Sequence, residues 1–501
     1  MCKCGGVGWQ RITFPSPNLP GISKILRFRS RPLVPARKQS HCARIPLRLP
    51  LRPAALPCLL LALLFFLFKP QRPAVAYSVL AHEAIVDAVW DAGLRDLLIA
   101  RFPNATPAQL REAHAYAYGG CIIQDMGYYP FGDHFFSDLT HYVRSADFIL
   151  TMIRESQNLD EYAFALGALT HYAADNEGHS IAVNHAVPLI YPRLRRKYGN
   201  TVTYEEDRKA HLLVEFSFDV AQVAGRLYPP QAYHDFIGFK VSEPVLNRAF
   251  KTTYGLDLRD VLLDEDLALY FYRHAASKLI PSMTQVAWTK EKDKIKKVAP
   301  GITRQRFVYV LSRRKYKREW GKTYHRPRFL SKAWFRRYKN PGFLSHLLLF
   351  IFDLIPKIGP LRTLQFRPPT PQTEALFLKS FKAVIGSDGQ YLMEIKKGDL
   401  TLADTNLDTG KAVRRGNYKL ADRAYRKLLD KLAHEHFKNI TPSLRANIVD
   451  FYQSGPGAKK SWKNFQRRRR TLHEIETLKG IQTTTADELL ILKPAAQSPG
   501  E

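Results

Sequence analysis

Cysteine is scarce in this chain of 501 residues: of five, Cys2, Cys4, Cys42 and Cys58 precede residue 76, and only Cys121 lies beyond it. Past that point no internal disulfide can form, so the fold rests on an apolar core or on bound metal rather than on cross-links. Acidic residues are missing from positions 1–76, which hold 13 Lys or Arg and no Asp or Glu. Much of the formal charge of +31 therefore sits at one end. Long apolar runs are missing too. Leu56 to Phe68 and Phe343 to Ile355 are both too short to cross a bilayer comfortably, and no internal repeat is present. The hydrophobic content of 45% is that of a globular chain, not a disordered one.

The acid-free end has the shape of a secretory signal: a basic, proline-rich stretch, the apolar run from Leu56, then Ala74-Val75-Ala76 as an A-x-A cleavage site. Cleavage after Ala76 would make Tyr77 the mature N-terminus of an exported protein; an uncleaved signal anchor is the alternative. The basic part is long enough to suggest a true start further downstream. The expected organisation is a leader over 1–76, a helical domain over 77–290, a basic and mostly helical domain over 291–480 and a flexible tail over 481–501.

The most informative stretch is Thr170-His171-Tyr172-Ala173-Ala174-Asp175-Asn176-Glu177-Gly178-His179. His171, Asp175 and His179 recur every four residues and share one face of a helix. The preceding segment from Leu159 is largely apolar, with Asp160 and Glu161 in the first turn, so it reads as a buried helix. Taken alone, the triplet also fits a hydrogen-bonded core histidine beside a local cap. Half of the 16 histidines, however, fall at 82, 114, 134, 141, 171, 179, 185 and 211. His82 lies five residues after Tyr77, whose free amine and carbonyl could chelate a metal. Asp125 precedes two rivals, His134 and His141. The Thr203 to Glu206 stretch has the pattern of a capping box for a helix carrying His211 and Glu215 four residues apart.

This order of residues resembles the zinc-dependent bacterial phospholipases C and, more distantly, the fungal single-strand nucleases of the same fold. The resemblance covers about residues 77–220 and implies a mainly α, phospholipase C/nuclease-type domain with three zinc ions. It implies that Asp125, His141, His171 and Asp175 hold one zinc, that Asp175 bridges to a second held by the Tyr77 amine and carbonyl and by His82, and that His179, His211 and Glu215 hold the remaining one. Imidazole and carboxylate donors suit zinc. The sequence departs from the family in having Tyr77 where Trp is usual and in a short interval from Asp175 to His179, which leaves His185 as a rival ligand. Helical phase favours His179, and the aromatic that follows favours His141. The insert between His179 and His211, with Arg193 to Lys197, has no counterpart.

Beyond Trp288 the chain becomes dense in Lys, Arg and aromatics, as in Arg313 to Trp320 and Trp334 to Tyr338. Such a surface attracts an anionic membrane or a nucleic acid, or is simply a solvated face. The apolar run from Phe343 fits a core helix or one lying in a membrane interface. A helix is expected over Thr373–Val384, a hairpin across Tyr391–Leu402, and helices again over Lys419–Phe437 and from Pro442 to Tyr452. No second catalytic constellation is present.

Zinc ions so held lower the pKa of a bound water and polarise a phosphoryl oxygen, which suits phosphodiester hydrolysis by a zinc-bound hydroxide, with Asp125 as general base. Tyr128, Tyr129 and Phe131 either line the headgroup side or are ordinary loop aromatics. The expectation is an exported phospholipase C acting on phospholipid at a membrane surface. The alternatives are a single-strand nuclease on the same scaffold, or a non-catalytic envelope protein clamped by zinc that binds membrane. No protein partner is evident.

Overall fold

The computed structural model describes residues 79–129, 131–225, 239–262, 264–274, 371–453 and 465–483, with isolated positions between 288 and 304 and at 367, 369 and 370. The leader, Tyr77, the Arg313–Tyr338 stretch, the apolar run from Phe343 and the end of the chain lie outside the described residues. The architecture is mainly α, as the sequence leads one to expect. Its helices are α1 Val79–Val89, α2 Arg95–Arg101, α3 Pro107–Gly120, α4 His134–Tyr142, α5 Ser145–Glu155, α6 Leu159–Glu177, α7 Asn184–Ile190, α8 Pro192–Tyr198, α9 Arg208–Gly225, α10 Glu243–Tyr254, α11 Leu258–Val261, α12 Glu265–His274, α13 Pro371–Lys397, α14 Lys419–His434, α15 Pro442–Gln453 and α16 Phe465–Gly480. The sheet among the described residues has two antiparallel strands of two residues each, β1 Thr405–Asn406 and β2 Lys411–Ala412.

Local signals start these helices where the chain provides caps. Thr106 and Gln109 form a capping box ahead of Pro107 in α3, and Asn158 caps α6 by accepting from the Glu161 N–H at 2.9 Å. The helix α6 is buried over most of its length, from Glu161 to Asp175. Its closest partner is α3, and small residues permit the approach: a Cβ added to Gly167 would lie 2.1 Å from the Ala117 carbonyl oxygen, and one on Gly120 1.9 Å from that of Phe164. Both are backbone atoms that cannot step aside.

One expectation for the C-terminal half is corrected. The helix α13 runs through to Lys397, where a hairpin was expected across Tyr391–Leu402; Leu392 is buried, and Tyr391 and Ile395 pack on the core, so tertiary packing overrides the interrupting Gly386 and Gly389. Among the described residues one apolar cluster includes members from Val79 to Leu478, taking in Leu428 and Leu429 of α14 and Leu444 and Ile448 of α15.

The stretch between α13 and α14 forms a strap over the N-terminal helices. Tyr172 donates its hydroxyl to the Ala403 carbonyl at 2.7 Å, Ser145 Oγ donates to that of Thr405 at 2.7 Å, and Asp404 Oδ1 accepts the Ala146 N–H at 2.9 Å at the start of α5. The close contact of α3 and α6 predicts that Gly167→Ala destabilises the protein by roughly 1–3 kcal/mol or more through overpacking. Urea unfolding of the two forms in the presence of chelator measures this without metal binding in the balance.

Candidate metal centre

Nine polar side chains converge at the middle of this helical unit. His82 comes from α1, Asp125 from the short 3-10 turn Ile123–Tyr128, His141 from α4, His171 and Asp175 from α6, His179 from the wide π turn Gly178–Val183, and His211 with Glu215 from α9. Each of these is at most 2% exposed. The ninth is Asp408, from the strap, at 3%.

Their donor atoms form three triads, His82–His171–Asp175, Asp125–His141–His171 and His179–His211–Glu215, each with its atoms within 4.8 Å of one another. His171 Nε2 lies 3.1 Å from Asp175 Oδ2, and His141 Nε2 lies 3.3 Å from both Asp125 Oδ1 and Asp175 Oδ2. His82 Nε2 faces Asp175 Oδ1 at 3.6 Å. On the other side, His179 Nε2 lies 3.3 Å and His211 Nε2 2.9 Å from Glu215 Oε1. Asp175 Oδ1 is 3.8 Å from His179 Nε2, so this carboxylate is the common neighbour of the triads.

The rings are aimed from behind. His171 Nδ1 is 2.9 Å from the Cys121 carbonyl oxygen and His141 Nδ1 is 2.8 Å from that of Ser137, which turns both Nε2 atoms inward. Cys121 directly follows α3, so the close packing of Gly120 and Gly167 sets the position of that carbonyl.

The electrostatics of the bare site are lopsided. Burial opposes charge on His141, but Asp125 and Asp175 hold its imidazolium so firmly that its pKa rises to about 10. His82, with burial and His171 acting together, is pushed well below the usual histidine range. Burial would raise Asp175, yet His171 and His179 hold it well below the ordinary carboxylate range. Burial lifts Asp125, only partly offset by His141.

A cation fits the donor set. Both carboxylate oxygens of Asp175 and of Glu215, and both ring nitrogens of His211, are buried without a hydrogen bond of regular geometry. Two ligands each about 2.0–2.2 Å from a tetrahedral ion lie roughly 3.3–3.6 Å apart, close to the 2.9–3.6 Å between the paired imidazole and carboxylate atoms of the triads. Ion pairs between buried imidazole and carboxylate would leave these atoms better aligned with each other.

Among the sequence-derived alternatives, His185 is exposed and His134 is partly buried across the Tyr128 ring, with ring centroids 5.4 Å apart; neither joins a triad. His114 instead stacks on Trp90 and pairs with Asp87 at 3.0 Å. Tyr129 packs edge-on against Tyr272 in the core, whereas Tyr128 stands beside His141, Tyr204 and the second apolar wall formed with Tyr142 and Tyr418. The sequence reading missed Asp408. No local spacing ties it to the histidines, and it is one of several acidic residues in that half of the chain.

Buried imidazoles and carboxylates grouped in ion-sized triads form a donor set suited to zinc. Residues 81–262, a little over a third of the chain, match the family model for zinc dependent phospholipase C, a family of phosphodiester hydrolases. The match spans every triad member. Neither a curated protein nor a solved structure matches the chain.

Zinc ligation needs neutral imidazole, while His141 in the bare site keeps its proton to about 10. Loading at pH 7 should therefore expel protons, and apparent affinity should rise as pH rises. Calorimetric zinc titrations in buffers of different ionisation enthalpy should show at least one proton released per chain; no release would mean that His141 is not a ligand.

Proposed function

We propose that the chain is an exported phospholipase C that hydrolyses phospholipid at a membrane surface, with three zinc ions held by His82, Asp125, His141, His171, Asp175, His179, His211 and Glu215 and by the Tyr77 backbone. The observation that carries this reading is the family match over 81–262, which brackets all three buried triads. Zinc held there supplies Lewis acidity toward a phosphoryl oxygen and a readily ionised water.

The protein's own groups divide the remaining work. Asp125, its carboxyl raised by burial and its Oδ1 without a regular hydrogen bond, takes the proton from the attacking water. Asp175 is the shared carboxylate of the triads. The guanidinium of Arg208 lies over the Tyr204 ring, 5.2 Å from its centroid, and that ring is 5.7 Å from the His211 ring. Arg208 thus offers a cation beside the third triad for a non-bridging phosphate oxygen. Tyr128, Tyr142, Tyr204 and Tyr418 give an apolar wall on that side.

Export rests on the signal-like leader and fits the chain's single described cysteine, Cys121, which is free and buried. Among the described residues no helix is long and apolar enough to cross a membrane. The basic, aromatic-rich stretch 313–338 would hold the enzyme to anionic lipid.

Hydrolysis of phosphatidylcholine and of single-stranded DNA, measured before and after chelation, decides among the readings. The expected outcome is diacylglycerol release that is lost with the metal, restored by zinc and absent in His171→Ala. Cleavage of DNA alone would make the chain a nuclease, and no turnover with zinc fully bound would leave a structural zinc clamp. Full turnover by His171→Ala would overturn the metal reading altogether.

A further inference from the structure

The strap between α13 and α14 reaches the metal centre from outside the family-matched stretch. At its tip, Asp408 Oδ1 lies 3.5 Å from His179 Nδ1. Its other oxygen accepts the Tyr142 hydroxyl at 2.8 Å and the Tyr418 hydroxyl. The Asp408 carbonyl accepts from Asn184 Nδ2 at 2.7 Å, and its N–H donates to Asn406 Oδ1 at 2.9 Å. One residue earlier, the Leu407 N–H donates to the His141 carbonyl at 3.1 Å. Asp408 is thus fixed through one carboxylate oxygen and both backbone groups, with the other oxygen left toward His179.

His179 meets a carboxylate where two of its fellow ligands meet backbone carbonyls. His141 and His171 are aimed by backbone carbonyls from helical segments of the first half. His179 sits in a π turn, where the helical hydrogen-bond pattern is widened. Its Nδ1 faces the Asp408 carboxylate, and Nε2 faces the Glu215 side of the centre. A carboxylate behind a ligating imidazole fixes the tautomer with the proton on Nδ1, directs Nε2 at the metal and strengthens it as a donor.

We propose that Asp408 is the positioning residue of the His179–His211–Glu215 site, so that metal loading there depends on the strap from Ala403 to Ala412 although no residue of the strap is itself a ligand. The two tyrosines act one step further out, holding the carboxylate in the plane that meets His179. This rests on the zinc reading given above, and the test separates the two.

Stepwise cobalt and zinc titration of the metal-free full-length protein, followed by visible absorption and metal analysis, is carried out on the wild type, Asp408→Asn, His211→Ala and His171→Ala. His211→Ala identifies the binding step that belongs to the third triad. Asp408→Asn is expected to weaken that step by about 10–100-fold and to change its cobalt spectrum, with the step sensitive to His171→Ala unmoved. An unchanged titration and spectrum in Asp408→Asn, while His211→Ala removes a step, would overturn the positioning role alone. A wild type with no step sensitive to either histidine would overturn the metal reading instead. If Asp408→Asn does not fold, the double variant Tyr142→Phe, Tyr418→Phe keeps the carboxylate but releases it: a weakened third-triad step supports the role and an unaltered one refutes it.

Discussion

Everything in this structure is arranged around the cost of burying charge. Asp125, Asp175, Glu215 and Asp408 lie within one pocket of the interior and face imidazoles, not Lys or Arg. Removing a carboxylate from water costs several kcal/mol even after relaxation, and partly protonated histidines at uneven distances repay it poorly. Divalent cations repay it well, because each satisfies several donors at once. The apolar helices serve this end: α6 is buried nearly throughout so that its polar face can be dry, and its glycine contact with α3 brings the Cys121 carbonyl behind His171.

The same constraint bears on the described helices of the C-terminal half. Its helices α13, α14 and α15 cover apolar surface left by the first half, and the strap between them supplies polar groups where the centre would otherwise lack them. The function of its inner face is set by a few uncharged or acidic residues, Leu407, Asp408 and Tyr418 among them.

Much of the centre was legible because helical periodicity is strict. Spacing of four residues puts His171, Asp175 and His179 together, and His211 with Glu215, before any tertiary fact is known. Phase also separates His179 from His185, which the fold leaves exposed. What spacing cannot convey is which carbonyl or carboxylate stands behind a ring, since Ser137, Cys121 and Asp408 are joined to their histidines only through packing. The hairpin expected across Tyr391–Leu402 fails for a related reason. Gly386 and Gly389 weaken a helix locally, but Leu392 and Ile395 gain a core that only the assembled fold provides.

The hydrogen bond from Tyr142 to Asp408 joins residues 266 positions apart in the chain. Contacts of such sequence separation form late, because the entropy of closing a long loop must be met before they stabilise anything. A chain halted before residue 403 holds every member of the three triads and lacks the carboxylate that faces the His179 ring and the N–H that holds the His141 carbonyl. Order of synthesis is thus built into the chemistry: a truncated or half-made copy carries the ligands without the frame that aims them.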